Sequence, residues 1–153
     1  MNIFILHKNP STAASMACDK HVVKMILETA QMLCTVAHAR GFEAQYRATH
    51  KKHPCTLWLA ESQQNWDWLI EHGLALSAEY TRRYGKVHKS QRVIEWCRDL
   101  PTNLPNIGLL PFAQAMPPQY KNDCVVTAYR AYYHGEKASF ATWKNGKPSW
   151  WTN

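Results

Sequence analysis

The chain has 153 residues, the usual size of one compact domain and too short for two. Hydrophobic residues make up 46%, enough for a core, while 18 Lys and Arg against 11 Asp and Glu leave a charge of +7. No apolar stretch approaches the ~18 residues of a membrane span, and the terminal apolar run has no basic segment before it, so neither a membrane-spanning nor a secreted chain is expected.

The five cysteines (Cys18, Cys34, Cys55, Cys97, Cys124) form an odd set without paired spacing, which points to reduced thiols in a cytoplasmic protein. The cationic surplus attracts polyanions and suits a phosphate backbone or an anionic surface. It concentrates in Arg82, Arg83, Lys86, Lys89 and Arg92, a run with no acidic residue that reads either as a solvated face or as a nucleic-acid footprint. Seven Trp and seven Tyr exceed the needs of a core of this size, so some rings are expected at a binding surface.

In chain order, residues 3–6 read as a short strand or an extended lead-in packed on the core. Asn9-Pro10-Ser11 signals a helix start with Ser11 as the cap, and the helix is expected to run to about His38 and stop before Gly41. Ala14, Cys18, Val22, Met25, Thr29, Met32 and Val36 recur every three or four residues and predict one buried stripe. Residues 41–52 are a polar, basic connection.

Pro54 suits the first turn of a second long helix, expected to continue to Tyr84 and end at Gly85. Leu57, Ala60, Trp66, Leu69, Ile70, Leu74 and Ala78 mark its expected inner side. A third helix is expected over residues 89–98. Pro101, Pro105, Pro111, Pro117 and Pro118 then forbid regular structure, before a last helix over residues 123–133 and an irregular tail. The expected fold is a single all-α domain over residues 1–153, an irregular bundle with two long helices, a Pro-rich loop and a short extended amino-terminal segment.

On the first helix His21 and Glu28 lie seven residues apart, nearly two turns, so they share a face, with Lys24 between them close enough to pair with Glu28. They read as a charge-laced surface stripe or as the lining of a cleft; the spacing alone favours neither, while Cys18, Val22 and Met25 around them suit a cleft. Cys18 with His21, Cys34 with His38, and His50, His53 and Cys55 have zinc-like spacings, but no set of four is complete, and no metal or cofactor is expected. His53-Pro54-Cys55 also reads as a device for setting a turn. There is no nucleophile elbow and no Gly-rich phosphate loop.

Trp143, Lys144 and Lys147 interleave a ring with amines, and Tyr129, Arg130, Tyr132 and Tyr133 do so on a helix, the pairing that grips single strands and extruded bases. Tyr129 and Tyr133 read equally well as core. Trp143 is expected at the surface.

Three of these segments resemble the pyrimidine-dimer DNA glycosylase and abasic-site lyase family, of the phage endonuclease V type. The family carries an Asp, a His two residues on and a catalytic Glu seven further, and Cys18-Asp19-Lys20-His21 leading to Glu28 has that spacing. Glu79-Tyr80-Thr81-Arg82-Arg83-Tyr84-Gly85 is similar to the end of its long helix, and Thr142-Trp143-Lys144-Asn145-Gly146-Lys147 to its tail. The resemblance implies base excision, in which a free terminal amine attacks the sugar carbon to give a Schiff base and the carboxylate assists ring opening and elimination. An α-amine, with a pKa near ~7.7–8.0, is about a tenth neutral at pH 7 and so is a ready nucleophile.

Two departures shape the expectation. Asn2 is bulky enough for Met1 to stay, which makes the Met1 amine the nucleophile. Leu27, Thr29 and Ala30 stand where the family places Arg. The resemblance then implies Glu28, His21, Met1 and Asn2 as the catalytic group. Lys20, Lys24, Arg82, Arg83, Lys86, Lys89, Arg92, Arg130, Trp143, Lys144 and Lys147 are expected to hold nucleic acid. The expected function is a DNA glycosylase, with or without lyase activity, for a damaged or modified pyrimidine. DNA is the expected partner, with no membrane and no obligate protein partner, in the cytoplasm (of the host cell if phage-encoded). A non-catalytic nucleic-acid-binding module and an enzyme acting on free nucleotides are the alternatives.

Overall fold

Residues 3–6 enter the protein as an extended thread with all four side chains buried, and Leu6 is wholly enclosed. The computed structural model describes residues 1–152; among them are six α-helices and no strand. They are α1 (Pro10–Met16), α2 (Asp19–Ala39), α3 (Pro54–Leu59), α4 (Gln63–Tyr84), α5 (Gln91–Arg98) and α6 (Val125–Tyr132). The molecule is an all-α bundle. α4 packs against α1, α2, α3 and α5, and α2 against α3 and α5.

Each of the two long helices expected from the sequence is a pair. The first is interrupted at Ala17 and Cys18, which are both extended, with ψ of 136° and 159°. The carbonyls released there bind distant side chains: Arg83 donates to those of Ser15 and Ala17, and Trp143 Nε1 to that of Met16. The cap of α1 is Asn9, not Ser11; its Oδ1 accepts from the Thr12 N–H at 2.9 Å, with Pro10 filling the first helical position. The buried stripe from Ala14 to Val36 is present as expected.

The second expected helix breaks after Leu59 and restarts at Gln63, where Ser62 Oγ accepts from the Asn65 N–H at 3.1 Å. This break turns Leu57 and Ala60 outward, and Ala78 is exposed further along α4. α4 ends as expected at Gly85, whose φ of 67° suits glycine, and the Gly85 N–H closes on Thr81. At Gly73 a Cβ would stand 2.8 Å from a methyl of Thr29 and 3.0 Å from Ile94, so glycine lets α2 and α5 approach α4 there.

The Pro-rich segment is irregular, as expected, and is pinned along one side of the helices. Asn65 accepts from the Leu110 N–H, Trp58 Nε1 donates to the Leu110 carbonyl, and Arg40 donates to the carbonyls of Thr102 and Asn103. The last helix is shorter than expected and widens at Tyr133–Lys137 into a π-helical turn. All five cysteines are free. Among the described residues no helix is long and apolar enough to cross a membrane, and no three His, Cys, Asp or Glu side chains form a metal-holding group.

Candidate active site

The helical period of α2 places His21, Lys24 and Glu28 along one face, and the amino-terminal thread passes in front of it. Glu28 is 8% exposed and uses both carboxylate oxygens. Oε2 lies 3.4 Å from the Met1 nitrogen and accepts from the Asn2 N–H at 3.2 Å, while Oε1 lies 3.6 Å from Lys24 Nζ. A carboxylate that meets a terminal amine can take its proton and hand it on to a neighbouring atom.

The thread is anchored on its far side. Asn2 Oδ1 accepts from the Ile3 N–H at 2.8 Å, the Tyr129 hydroxyl at 2.9 Å and Cys55 Sγ at 3.7 Å, while its Nδ2 donates to the Ala115 carbonyl at 2.8 Å. His53 accepts the Cys55 N–H on Nδ1, so its proton sits on Nε2, and it hydrogen-bonds the Met1 carbonyl. Burial first, and the Met1 ammonium next, push the His53 pKa down, which keeps this imidazole neutral behind the terminus. Asn2 thus contributes its backbone to Glu28, and its side chain fixes where Met1 stands.

His21 is also neutral. Burial lowers its pKa to about 3, with the charges of Lys137, Lys24 and Lys20 acting in the same direction. Its ring stacks on Phe4 at 4.2 Å, and its Nδ1 lies 2.6 Å from the Tyr133 hydroxyl. That hydroxyl has one proton and two acceptors in reach, His21 Nδ1 and the Cys18 sulfur at 3.7 Å. The nearer and stronger acceptor takes it, which leaves the imidazole proton on Nε2 as a donor. Burial holds the Tyr133 hydroxyl protonated by raising its pKa well above 10.

These groups surround a pocket of about 130 Å³ lined by Met1, Asn2, Phe4, His21, Lys24, Met25, Glu28, Tyr132 and Lys137. Three of its lining groups are amines and one is a carboxylate. The arrangement can present a nucleophilic amine, an acid–base carboxylate and a neutral donor to an anionic substrate.

Asp19 organises the entry to α2. It accepts from Arg83 Nη1 at 3.0 Å, from the Lys144 N–H at 3.1 Å and from the Thr142 hydroxyl at 3.2 Å. Its own N–H donates to the Thr142 carbonyl at 2.8 Å. Arg83 also pairs with Glu79 at 3.0 Å, and its side chain is 1% exposed. The three segments singled out in the sequence therefore converge on one carboxylate, about two and a half turns of helix away from Glu28.

The remaining predicted residues divide by position. Lys20 is exposed beside the pocket, 4.5 Å over the Phe140 ring, which itself faces His21. Lys86 and Lys89 are exposed on the segment after α4 and Arg92 in the first turn of α5, and His88 ties that segment to the Val23 carbonyl on α2. Arg82 is half in solvent and chelates Glu79. Arg83 is committed to Asp19 and Glu79, and Arg130 to the Leu6 carbonyl and the Trp150 ring. Trp143 is core, contrary to expectation; it is 9% exposed because its indole N–H reaches the Met16 carbonyl. Lys144 lies 5.4 Å from the Tyr84 ring centre, and Lys147 is exposed.

Sequence reasoning passed over Phe4 and Lys137, weighed His53 only for a metal or a turn, and placed Tyr132 only in a ring-and-cation stretch. For His53 the signal was its place before Pro54, a helix entry that fixes its ring. For Lys137 there was none, because no helical period links it to α2. Tyr129 and Tyr133 are fully buried, and each also holds a site residue through its hydroxyl.

Among protein families, the one whose model is described as pyrimidine dimer DNA glycosylase matches residues 1–92, which include every residue named on α2 and the Met1 thread. No curated protein and no solved structure matches the chain.

Proposed function

The chain belongs to the pyrimidine dimer DNA glycosylase family, and on that premise we propose that it excises a damaged or modified pyrimidine from DNA with the Met1 α-amine as nucleophile. The observation that carries the reading is the 3.4 Å approach of the Met1 nitrogen to Glu28. Glu28 takes a proton from the ammonium, and the freed lone pair attacks C1′ of the damaged nucleotide. The glycosidic C–N bond breaks, and the base leaves with the bonding electrons and the proton that Glu28 took up, which restores the carboxylate. Loss of the amine proton and opening of the C1′–O4′ bond, with the proton passed to O4′, give the Schiff base.

Where strand cleavage follows, Glu28 removes a C2′ proton, the C3′–O bond breaks, and the 3′-phosphate departs with the electron pair. Water then hydrolyses the imine and restores the amine. His21 donates from Nε2 to a sugar or phosphate oxygen and stays neutral throughout. Lys20 and Lys24 at the rim, with Lys86, Lys89 and Arg92 further out, supply the salt-dependent attraction to the backbone.

Borohydride trapping on DNA with an abasic site tests this reading. A covalent adduct that maps to Met1, and that disappears when the α-amine is blocked, is expected. An adduct on a lysine, or DNA binding with neither base release nor trapping, overturns the assignment. Hydrolysis of free nucleotides without affinity for long DNA would move the protein to a different reaction.

A further inference from the structure

We propose that a single water molecule is bound between α2 and α4, in a cavity directly behind the Met1–Glu28 pocket, where it bridges Thr29 Oγ1 and His72 Nε2. Every residue around this cavity is buried, from Leu76 at 1% exposed to Asn2 at 8%. No Asp, Glu, Lys or Arg lines it, so it suits a neutral ligand and not an ion. The centre of a water-sized sphere has about 10 Å³ in which to move, room for one water molecule and too little for a second. The site is independent of the reaction that the pocket carries out.

His72 supplies the acceptor. Its Nδ1 lies 3.0 Å from the Pro10 carbonyl and must donate to it, because that oxygen can only accept. In a neutral ring this leaves a lone pair on Nε2, and burial keeps the ring neutral by lowering its pKa to about 4. Stacking on Trp68, with ring centres 5.0 Å apart, fixes the plane of the imidazole. Among the described residues no group donates to Nε2, on a residue only 4% exposed.

Thr29 supplies the second group and is 2% exposed. Thr35 and Thr81 return their hydroxyls to the carbonyl four residues earlier, the ordinary outlet for a threonine inside a helix. Thr29 Oγ1 makes no such bond, nor any other among the described residues, although it lines the same cavity as His72. Its methyl packs against Gly73, the residue after His72, within 2.8 Å of where a Cβ would stand, so the hydroxyl meets α4 at the level of the imidazole. Two buried polar atoms without partners are unfavourable. Water satisfies both, giving one O–H to Nε2 and sharing a second bond with the Thr29 hydroxyl. Asn2, Phe4, His21 and Met25 line both this cavity and the Met1–Glu28 pocket, so the water braces the wall that carries the candidate site.

Oxygen-17 relaxation dispersion of the solvent, which counts water molecules held inside a protein for longer than its tumbling time, tests this site without DNA. Thr29→Val is expected to hold one long-lived water fewer than wild type, and Thr29→Ser to match wild type. His72→Phe, which keeps the ring on Trp68 and removes the acceptor, is also expected to lose one. Equal counts in wild type and Thr29→Val, or a loss in Thr29→Ser as large as that in Thr29→Val, would overturn the proposal. Should the valine or phenylalanine variant fail to fold, a crystal structure of the wild-type protein decides. An isolated density peak about 2.7–3.2 Å from both Thr29 Oγ1 and His72 Nε2 is expected. A direct hydrogen bond between the two side chains, or packing that closes the gap between them, would remove the site.

Discussion

The Tyr129 hydroxyl donates to Asn2 Oδ1 across 2.9 Å, so the last α-helix reaches the residue directly behind the Met1 amine. The same oxygen accepts from the Ala115 N–H at 3.2 Å. Tyr129→Phe strands that N–H and loosens Asn2, at a cost of about 1–3 kcal/mol. If the anchor serves the amine, trapping slows by roughly tenfold to a hundredfold while DNA affinity holds, because misplacing a reacting group affects the chemical step most. Thermal unfolding and single-turnover trapping measure the two effects separately.

Glu28→Gln keeps the shape of the pocket and removes its proton acceptor. Turnover is expected to fall by about 10²–10⁴-fold, the usual contribution of a positioned acid–base group, with binding to abasic DNA nearly intact. A fully active Gln variant would show that the carboxylate is a bystander to the reaction.

Acid destabilises this protein through its neutral buried histidines. His72 donates to the Pro10 carbonyl, stacks on Trp68, and has its pKa lowered by burial to about 4; burial and nearby lysines take that of His21 to about 3. In both cases the unfolded chain binds the proton more readily than the folded one. Their contribution is complete above pH ~6.5 and is lost as pH falls through that value toward the folded pKa. His72 alone accounts for roughly 3 kcal/mol by this linkage. Unfolding midpoints measured from pH 7 to pH 4 should drop steeply in wild type and less in His72→Gln. A pH-independent midpoint would mean that these rings take up protons equally readily in the folded and unfolded states.

Asp19→Asn leaves the buried Arg83 guanidinium with Glu79 as its remaining carboxylate partner. Losing one charged hydrogen-bond partner while the other remains costs about 1.5–3 kcal/mol, and high salt should not change the loss, since the group is shielded from solvent. Urea unfolding at two ionic strengths checks both statements. Restoration of wild-type stability by salt would place the pair at the surface.

Much of the site was legible because it rests on helical spacing: His21, Lys24 and Glu28 follow from the period of α2 alone. The Met1 approach was not, since it depends on Asn2 meeting Tyr129 and Ala115 from far along the chain. The interruption at Ala17 and Cys18 carries neither Gly nor Pro; it is stabilised by Arg83 and Trp143, so local sequence gives no sign of it. Ser62 did carry a cap signal, and the apolar run through Leu57 and Ala60 obscured it. Arg83, Arg130 and Trp143 show why charge and aromaticity alone mislead about surfaces. Each has a donor group that reaches a backbone carbonyl inside the fold, and burial follows from that bond.

The gap between α1 and α2 also sets an order of events during folding. Its free carbonyls are satisfied by residues more than sixty positions away, and the first turn of α2 is closed by Thr142. Contacts of such long sequence separation form late. A chain emerging from the ribosome can therefore build α4 and most of α2 early, yet His21 takes its final station only after residues 142–144 have been made. Amide exchange should show the Asp19 N–H among the last to gain protection on refolding, well behind the middle of its own helix.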